Sequence, residues 1–254
     1  MLLLTIAALL IGHGITGYWR GILIDERNKM SLARLQLAMW TVIIVSAVLV
    51  LFFWRLFAKV EGPLDITIPE QIWALLGIST TSLVGSSLIK TNKKNQSPNL
   101  EEEQETGRRV SDQGVDPSDL RVTGRVVLNE SASMASWADL FRGEESGNAT
   151  AVSLGKFQMF YFTLIAVVSY GYALAEMFGA NTPAAGFPAV SSGLLTLLGI
   201  SHGGYLAEKA VPHTQEPASQ PLPTPAQGAM VAAAPAPITV VRQIRRAARP
   251  LGQP

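Results

Sequence analysis

Few side chains in this sequence could carry chemistry. His202 is the one group inside its uncharged stretches, apart from His13 near the N-terminus, able to titrate near neutral pH. Hydroxyls gather in the same kind of stretch: Ser79, Thr80, Thr81, Ser82, Ser86 and Ser87 lie close together, and Ser201 precedes His202. A file of hydroxyls ending on an imidazole is the raw material of a hydrated path or a proton relay. The charged rings and intramembrane carboxylates usual in pores are missing, however. In the plainer reading the hydroxyls return hydrogen bonds to the preceding helical turn and His202 is a hydrogen-bonded structural residue. Gln36 and Gln158 pose a similar choice, between an interfacial amide reaching water and a hydrogen bond between helices. Glu176 stands at the end of its stretch and reads as solvated. No nucleophile with its base, paired carboxylates, phosphate loop or metal cluster appears at usable spacing. With no Cys in the chain, thiolate chemistry and disulfides are excluded as well. The expectation is no enzymatic activity, no metal and no cofactor.

The elements that must position these groups are set by charge. The chain of 254 residues holds 20 Lys plus Arg and 19 Asp plus Glu, a charged share of 15%, against about 25% in a soluble domain. None of those charges falls in 1–19, 35–54, 71–89, 157–175 or 187–206. At 1.5 Å per residue, 19 or 20 residues of helix cross about 30 Å of hydrocarbon. The sequence therefore predicts an all-α, polytopic membrane helical bundle of about five spans. Residues 1–19 lack the basic start and the small-residue cleavage site of a signal peptide, so a retained first span is expected. Arg20, Arg27, Lys29, Arg34, Lys90, Lys93, Lys94 and Lys209 flank one set of span ends, and only Arg55 and Lys59 the other. The positive-inside rule then places the protein in a bacterial inner membrane with its N-terminus outside and its C-terminus cytoplasmic.

A shift of 122 residues brings two motifs into register. Ser31, Leu32, Gln36 and Thr41 fall on Ser153, Leu154, Gln158 and Thr163, with Arg34 opposite Lys156; Leu75 to Ser79 falls on Leu197 to Ser201. The expected organisation is an N-terminal span and short loop (1–30), a first two-helix repeat (31–90), an acidic cytoplasmic loop (91–152), a second repeat (153–210) and a tail (211–254). Because each unit has an even number of spans, the repeats run parallel. Ser31 and Ser153 read as N-caps. The strings at 68–86, 137–145 and 197–206 carry a further likeness. Over roughly residues 30–210 the chain resembles a set of uncharacterised bacterial membrane proteins with duplicated hairpins of this type. That resemblance implies topology and no mechanism.

Gly77, Thr81 and Gly85, and in the second copy Gly199, Gly203 and Ala207, form small-xxx-small stripes that predict close helix packing, within the chain or between copies in a homo-oligomer. The loop holds 11 acidic and 7 basic side chains; its Ser, Asn, Glu and Gln-rich start reads as disordered. Ser136 with Asp139 predicts a capping box on a short amphipathic helix presenting Trp137, Leu140 and Phe141 to the membrane surface or a partner. In the tail, Arg242, Arg245, Arg246 and Arg249 fall on one face of a basic amphipathic helix suited to anionic headgroups. No basic face long enough for nucleic acid exists. Together these features predict a structural, anchoring or partner-recruiting membrane protein; the alternative is a small channel or transporter subunit with a hydroxyl-lined path.

Overall fold

The computed structural model describes residues 1–114 and 116–215. The element order is α1 (Leu2–Thr16), α2 (Leu32–Phe57), α3 (Glu70–Lys94), α4 (Leu100–Asp112), β1 (Leu120–Thr123), β2 (Val126–Asn129), α5 (Leu154–Phe178) and α6 (Ser192–Ala210), with 3-10 turns at Gly21–Leu23, Pro117–Asp119, Ala132–Met134 and Trp137–Leu140. Helices α2, α3 and α5 are each long and apolar enough to cross a membrane. Helix α6 has 19 residues and ends on the charged pair Glu208 and Lys209. Helix α1 has 15 residues, about 22 Å of rise and shorter than the hydrocarbon thickness.

Four helices form a ring in which α2 touches α3 and α5, while α6 touches α3 and α5. Helices α2 and α5 start at the end where α3 and α6 finish. The half of the bundle remote from that end is filled by apolar side chains, Trp40, Ile43, Ile44, Ala47 and Leu51 from α2 meeting Ile72 and Leu75, Ala166, Tyr170 and Leu174, and Leu198. Phe187 and Val190 close this core from the α5–α6 connection. Beyond it, the two far loops join: Thr67 N–H donates to Ala185 O (3.1 Å) and Phe187 N–H to Thr67 O (2.9 Å). Arg55 is buried and its Nη1 donates to Asp65 O and Ala185 O there.

Helix α1 folds back through two glycines. A Cβ at Gly12 would stand 2.6 Å from Ile22 N, and one at Gly21 would run into Gly12 O. Only hydrogen atoms fit where the helix meets the following turn.

The described residues of 91–152 are ordered, contrary to the disorder expected of the segment's first part. Asn99 Oδ1 accepts from Glu101 N–H and Glu102 N–H, and Glu101, Glu102 and Glu103 sit in the first turn of α4, where the helix dipole favours acids. Thr106 and Val110, four residues apart, are buried. Strands β1 and β2 form a hairpin with Leu120 opposite Asn129 and Thr123 opposite Val126. Its turn has Gly124 at φ 59°, the first central position of a II′ turn. A Cβ there would collide with the carbonyls of Lys93 and Lys94, and Arg125 N–H donates to Lys93 O at 3.1 Å. The hairpin tip thus caps the end of α3.

The capping box forms: Ser136 N–H donates to Asp139 Oδ2 at 2.7 Å and Ser136 Oγ accepts from Ala138 N–H at 3.2 Å. The turn it starts, Trp137–Leu140, is one 3-10 turn and not the expected amphipathic helix, because the chain then leaves in an extended course that pairs Arg142 with Val152. Leu140 is buried, Phe141 packs edge-on against Phe160, and Trp137 faces outward. Ser153 caps α5 through its side chain, whereas Ser31 has the cap position of α2 without the side-chain bond. The tail boundary expected at 211 also moves. His213 and Thr214 N–H groups bond Glu145 Oε2 at 3.1 Å each, so residues 211–215 pack with the 91–152 segment. Arg242, Arg245, Arg246 and Arg249 lie outside the described residues.

Candidate functional site: a buried charge network at one end of the bundle

Every helix of the ring brings a lysine or a neighbouring charge to the end at which α2 and α5 begin. Lys90 and Lys93 come from the last two turns of α3, Lys156 from the first turn of α5, and Lys209 from the last turn of α6. The turn before α2 adds Asp25 and Arg27. The 91–152 segment supplies Glu144 and Glu145. Asp25, Arg27, Lys90, Lys93, Glu145, Lys156 and Lys209 all have less than a tenth of their surface exposed.

Glu144 is the hub. Its carboxylate meets Lys156 Nζ at 3.0 Å and Arg27 Nη2 at 3.3 Å, and pairs with Lys209. Asp25 takes Arg27 side-on through Nε (2.9 Å) and Nη2 (2.8 Å), and also binds Lys90 Nζ at 2.9 Å. Lys90 reaches Glu26 as well. Glu145 pairs with Lys93, whose Nζ also donates to Val211 O at 2.8 Å. Between these groups and Tyr205 lies a cavity of about 30 Å³, room for one water.

Burial alone would push the carboxyl groups of Asp25 and Glu144 up. The adjacent cations outweigh it: Arg27 and Lys90 hold Asp25, and Arg27, Lys156 and Lys209 hold Glu144, well below the usual carboxylate range. Lys29 shows the opposite balance. Burial lowers it to about 8, with Asp139 opposing the shift and Arg27, Lys156 and Arg142 adding to it.

From the hub a line of polar groups runs into the bundle between α3 and α6. Lys209 Nζ donates to Ser86 Oγ (2.6 Å) and Tyr205 OH (3.2 Å), which are 3.1 Å apart; deeper in, Ser82 Oγ lies 2.6 Å from His202 Nδ1. Ser79 and Ser201 are buried at the same level, and Ser201 Oγ has no hydrogen-bond partner among the described residues. Past them the interior passes to Leu75, Leu198 and Ile72. Ser79, Ser201 and His202 are therefore brought together, at the border of the apolar half.

The small-residue stripes are not what α3 and α6 bury against each other. Gly77, Thr81, Gly203 and Ala207 are exposed, and a Cβ on Gly77 or Gly203 would meet nothing within 4 Å. A Cβ on Gly85 would stand 3.2 Å from Leu206 and one on Gly199 3.9 Å from Ile78, so only this part of each stripe faces the other helix. The buried face of α3 is Leu75, Ser79, Ser82, Ser86, Lys90 and Lys93. At 100° per residue, Gly77 lies about 200° from Leu75, on the opposite side. Serines are themselves small enough for close approach, and they bond across the interface, which glycines cannot do.

Gln36 and Gln158 part company. Gln36 is fully buried and its Nε2 donates to Thr163 Oγ1 (2.6 Å) and Met159 O (3.2 Å) on α5, while Gln158 is exposed. Thr163 is the residue that the 122-residue shift places opposite Thr41. Sequence reasoning read the lysines and arginines only as flanking markers of orientation and missed that they are paired. One signal was present: the 91–152 segment holds 11 acidic side chains against 7 basic ones, with Glu144 and Glu145 at the end of the 137–145 string.

Among the described residues no three His, Asp or Glu side chains converge in a way that could hold a metal ion. Comparison with protein-family models, with curated proteins and with solved structures found no match.

Proposed function

We propose that this is an integral membrane protein of the structural, anchoring type: a helical bundle of about five spans, built from two parallel two-helix repeats, that holds the 91–152 segment as a folded cap on the cytoplasmic face and presents it to a protein partner. The observation that carries this reading is the Glu144 hub. It joins the cap to Arg27, Lys156 and Lys209 with little exposed surface, so cap and bundle move as one body. Loops that served only as connections between spans would not need buried ion pairs, whose geometry must offset a large desolvation cost. The ring of helices, with α2 against α5 and α3 against α6, is what a parallel repeat about an axis along the membrane normal would produce. The cap also carries an open cleft of about 760 Å³ between α4 and the hairpin, where Leu120 and Val122 lie beside Glu103 and Arg108. That mixed surface suits a peptide partner.

The runner-up, a small channel or transporter subunit, has one observation in its favour, the polar line from Lys209 to His202. The apolar packing of the other half opposes it. Two measurements separate the readings. In proteoliposomes, the anchoring reading expects proton and cation flux equal to protein-free vesicles; flux lost on changing Ser79 and His202 to Ala would establish the other. A photo-crosslinking residue at Val122 or Arg108 in native membranes should give a discrete adduct that Glu144→Gln weakens; no adduct at either position would refute a recruiting cap.

A further inference from the structure

Not every basic residue at the charged end has a counter-charge among the described residues. Lys156, which the 122-residue shift aligns with Arg34, is buried and paired with Glu144. Arg34 itself is half-buried on the first turn of α2, and among the described residues no carboxylate lies within ion-pair distance and no hydrogen bond involves its guanidinium. It stands instead at the rim of a groove of about 410 Å³ between α1, α2 and α3. The walls include Ala8, Leu37, Thr41 and Leu83, with Ser87 beside Arg34 at the mouth. From Arg34 to Thr41 the groove extends seven residues along α2, about 10 Å, out of roughly 15 Å for one leaflet of hydrocarbon. The groove exists because α1 touches the rest of the molecule mainly through the Gly12 and Gly21 contact, which leaves its flank toward α3 uncovered.

We infer that this groove is a binding site for one anionic phospholipid of the leaflet on the charged side. Its acyl chain lies along Leu37, Thr41 and Leu83, and its phosphate accepts hydrogen bonds from Arg34. The two parts of the site match the two parts of the ligand: an apolar trough of chain-like depth, and a single guanidinium at headgroup level whose fork suits phosphate oxygens. In the second repeat the equivalent cation is neutralised by the cap; in the first, the lipid takes that place. The inference rests on the membrane placement and is independent of the anchoring role, which the flux and crosslinking measurements address separately.

The test is native mass spectrometry of the full chain in detergent, titrated with phosphatidylglycerol and, separately, phosphatidylcholine. The expected result is one phosphatidylglycerol retained per chain, with an apparent affinity at least about tenfold above that for phosphatidylcholine, whose phosphate is already neutralised by its own choline cation and so gains less from Arg34. Arg34→Ala should abolish the preference and Arg34→Lys should keep part of it. Thr41→Phe leaves Arg34 in place and fills the chain path, so it should weaken retention even if Arg34→Ala proves unstable. Glycerol phosphate, the headgroup chemistry alone, should not compete. Equal retention of the two lipids by the wild type, unchanged retention by Arg34→Ala or Thr41→Phe, competition by glycerol phosphate, or a shift from dimer to monomer in Arg34→Ala with lipid unaffected would each overturn the site, the last by showing that a second copy occupies it.

Discussion

Glu144 is the single residue on which most of the packing at the charged end depends. It is a carboxylate among Arg27, Lys156 and Lys209, and its removal leaves three buried cations short of a negative charge. Breaking a buried ion pair from one side costs about 3–5 kcal/mol. Glu144→Gln should therefore lower the thermal unfolding midpoint in detergent sharply, and Asp25→Asn should act in the same direction; wild-type midpoints for both would contradict the network. The pH dependence follows from the same charges. Folded-state values of Asp25 and Glu144 lie below their unfolded ones, so their stabilising effect is complete above the unfolded carboxyl range, about pH 4, and fades as pH falls through the depressed folded values. Lys29 works on the alkaline side. Its folded value of about 8 lies below its ordinary 10.5, so between those limits the unfolded chain binds the extra proton and stability rises with pH. Scans of melting midpoint against pH should show loss on acidification below about 4, and Lys29→Met should flatten the rise above 8.

At the scale of elements, the faces of α3 and α6 decide the bundle. Ser82→Leu would drive a large side chain into the contact with His202 and break its 2.6 Å hydrogen bond, costing about 1–3 kcal/mol or more through overpacking. Gly77→Leu faces open space and should leave the stability within about 0.5 kcal/mol of wild type; a large loss there, with Ser82→Leu tolerated, would reverse the assignment of faces. Gly21→Leu should release α1 from the turn, seen as new protease access near residues 17–24. The existence of α2, α3 and α5 was legible in the sequence because uncharged runs of span length have few other solutions. Which face of each helix is buried was not, since in α3 a glycine stripe and a serine stripe have equal claims to close packing and only their bonding partners separate them. The Gln36 to Thr163 bond was among the alternatives the sequence allowed, because a buried amide requires a partner. The ordered loop was not: its acid excess is visible, but which of those acids meet Lys93, Lys156 and Lys209 is fixed by where the helix ends converge, and local composition does not specify that.

For the molecule as a whole, an ordered cap joined to the helix ends through buried charges is the central feature, and the proposed anchoring role depends on it. Amide hydrogen exchange of the full chain in lipid nanodiscs tests it most directly. The account predicts slow exchange for the hairpin at 120–129 and for the amides of Val127, Ser146, His213 and Thr214, whose bonds lie at the cap, and faster exchange at these sites in Glu144→Gln. Uniformly fast exchange from 91 to 152 in the wild-type protein, with the helices of the bundle still protected, would contradict it.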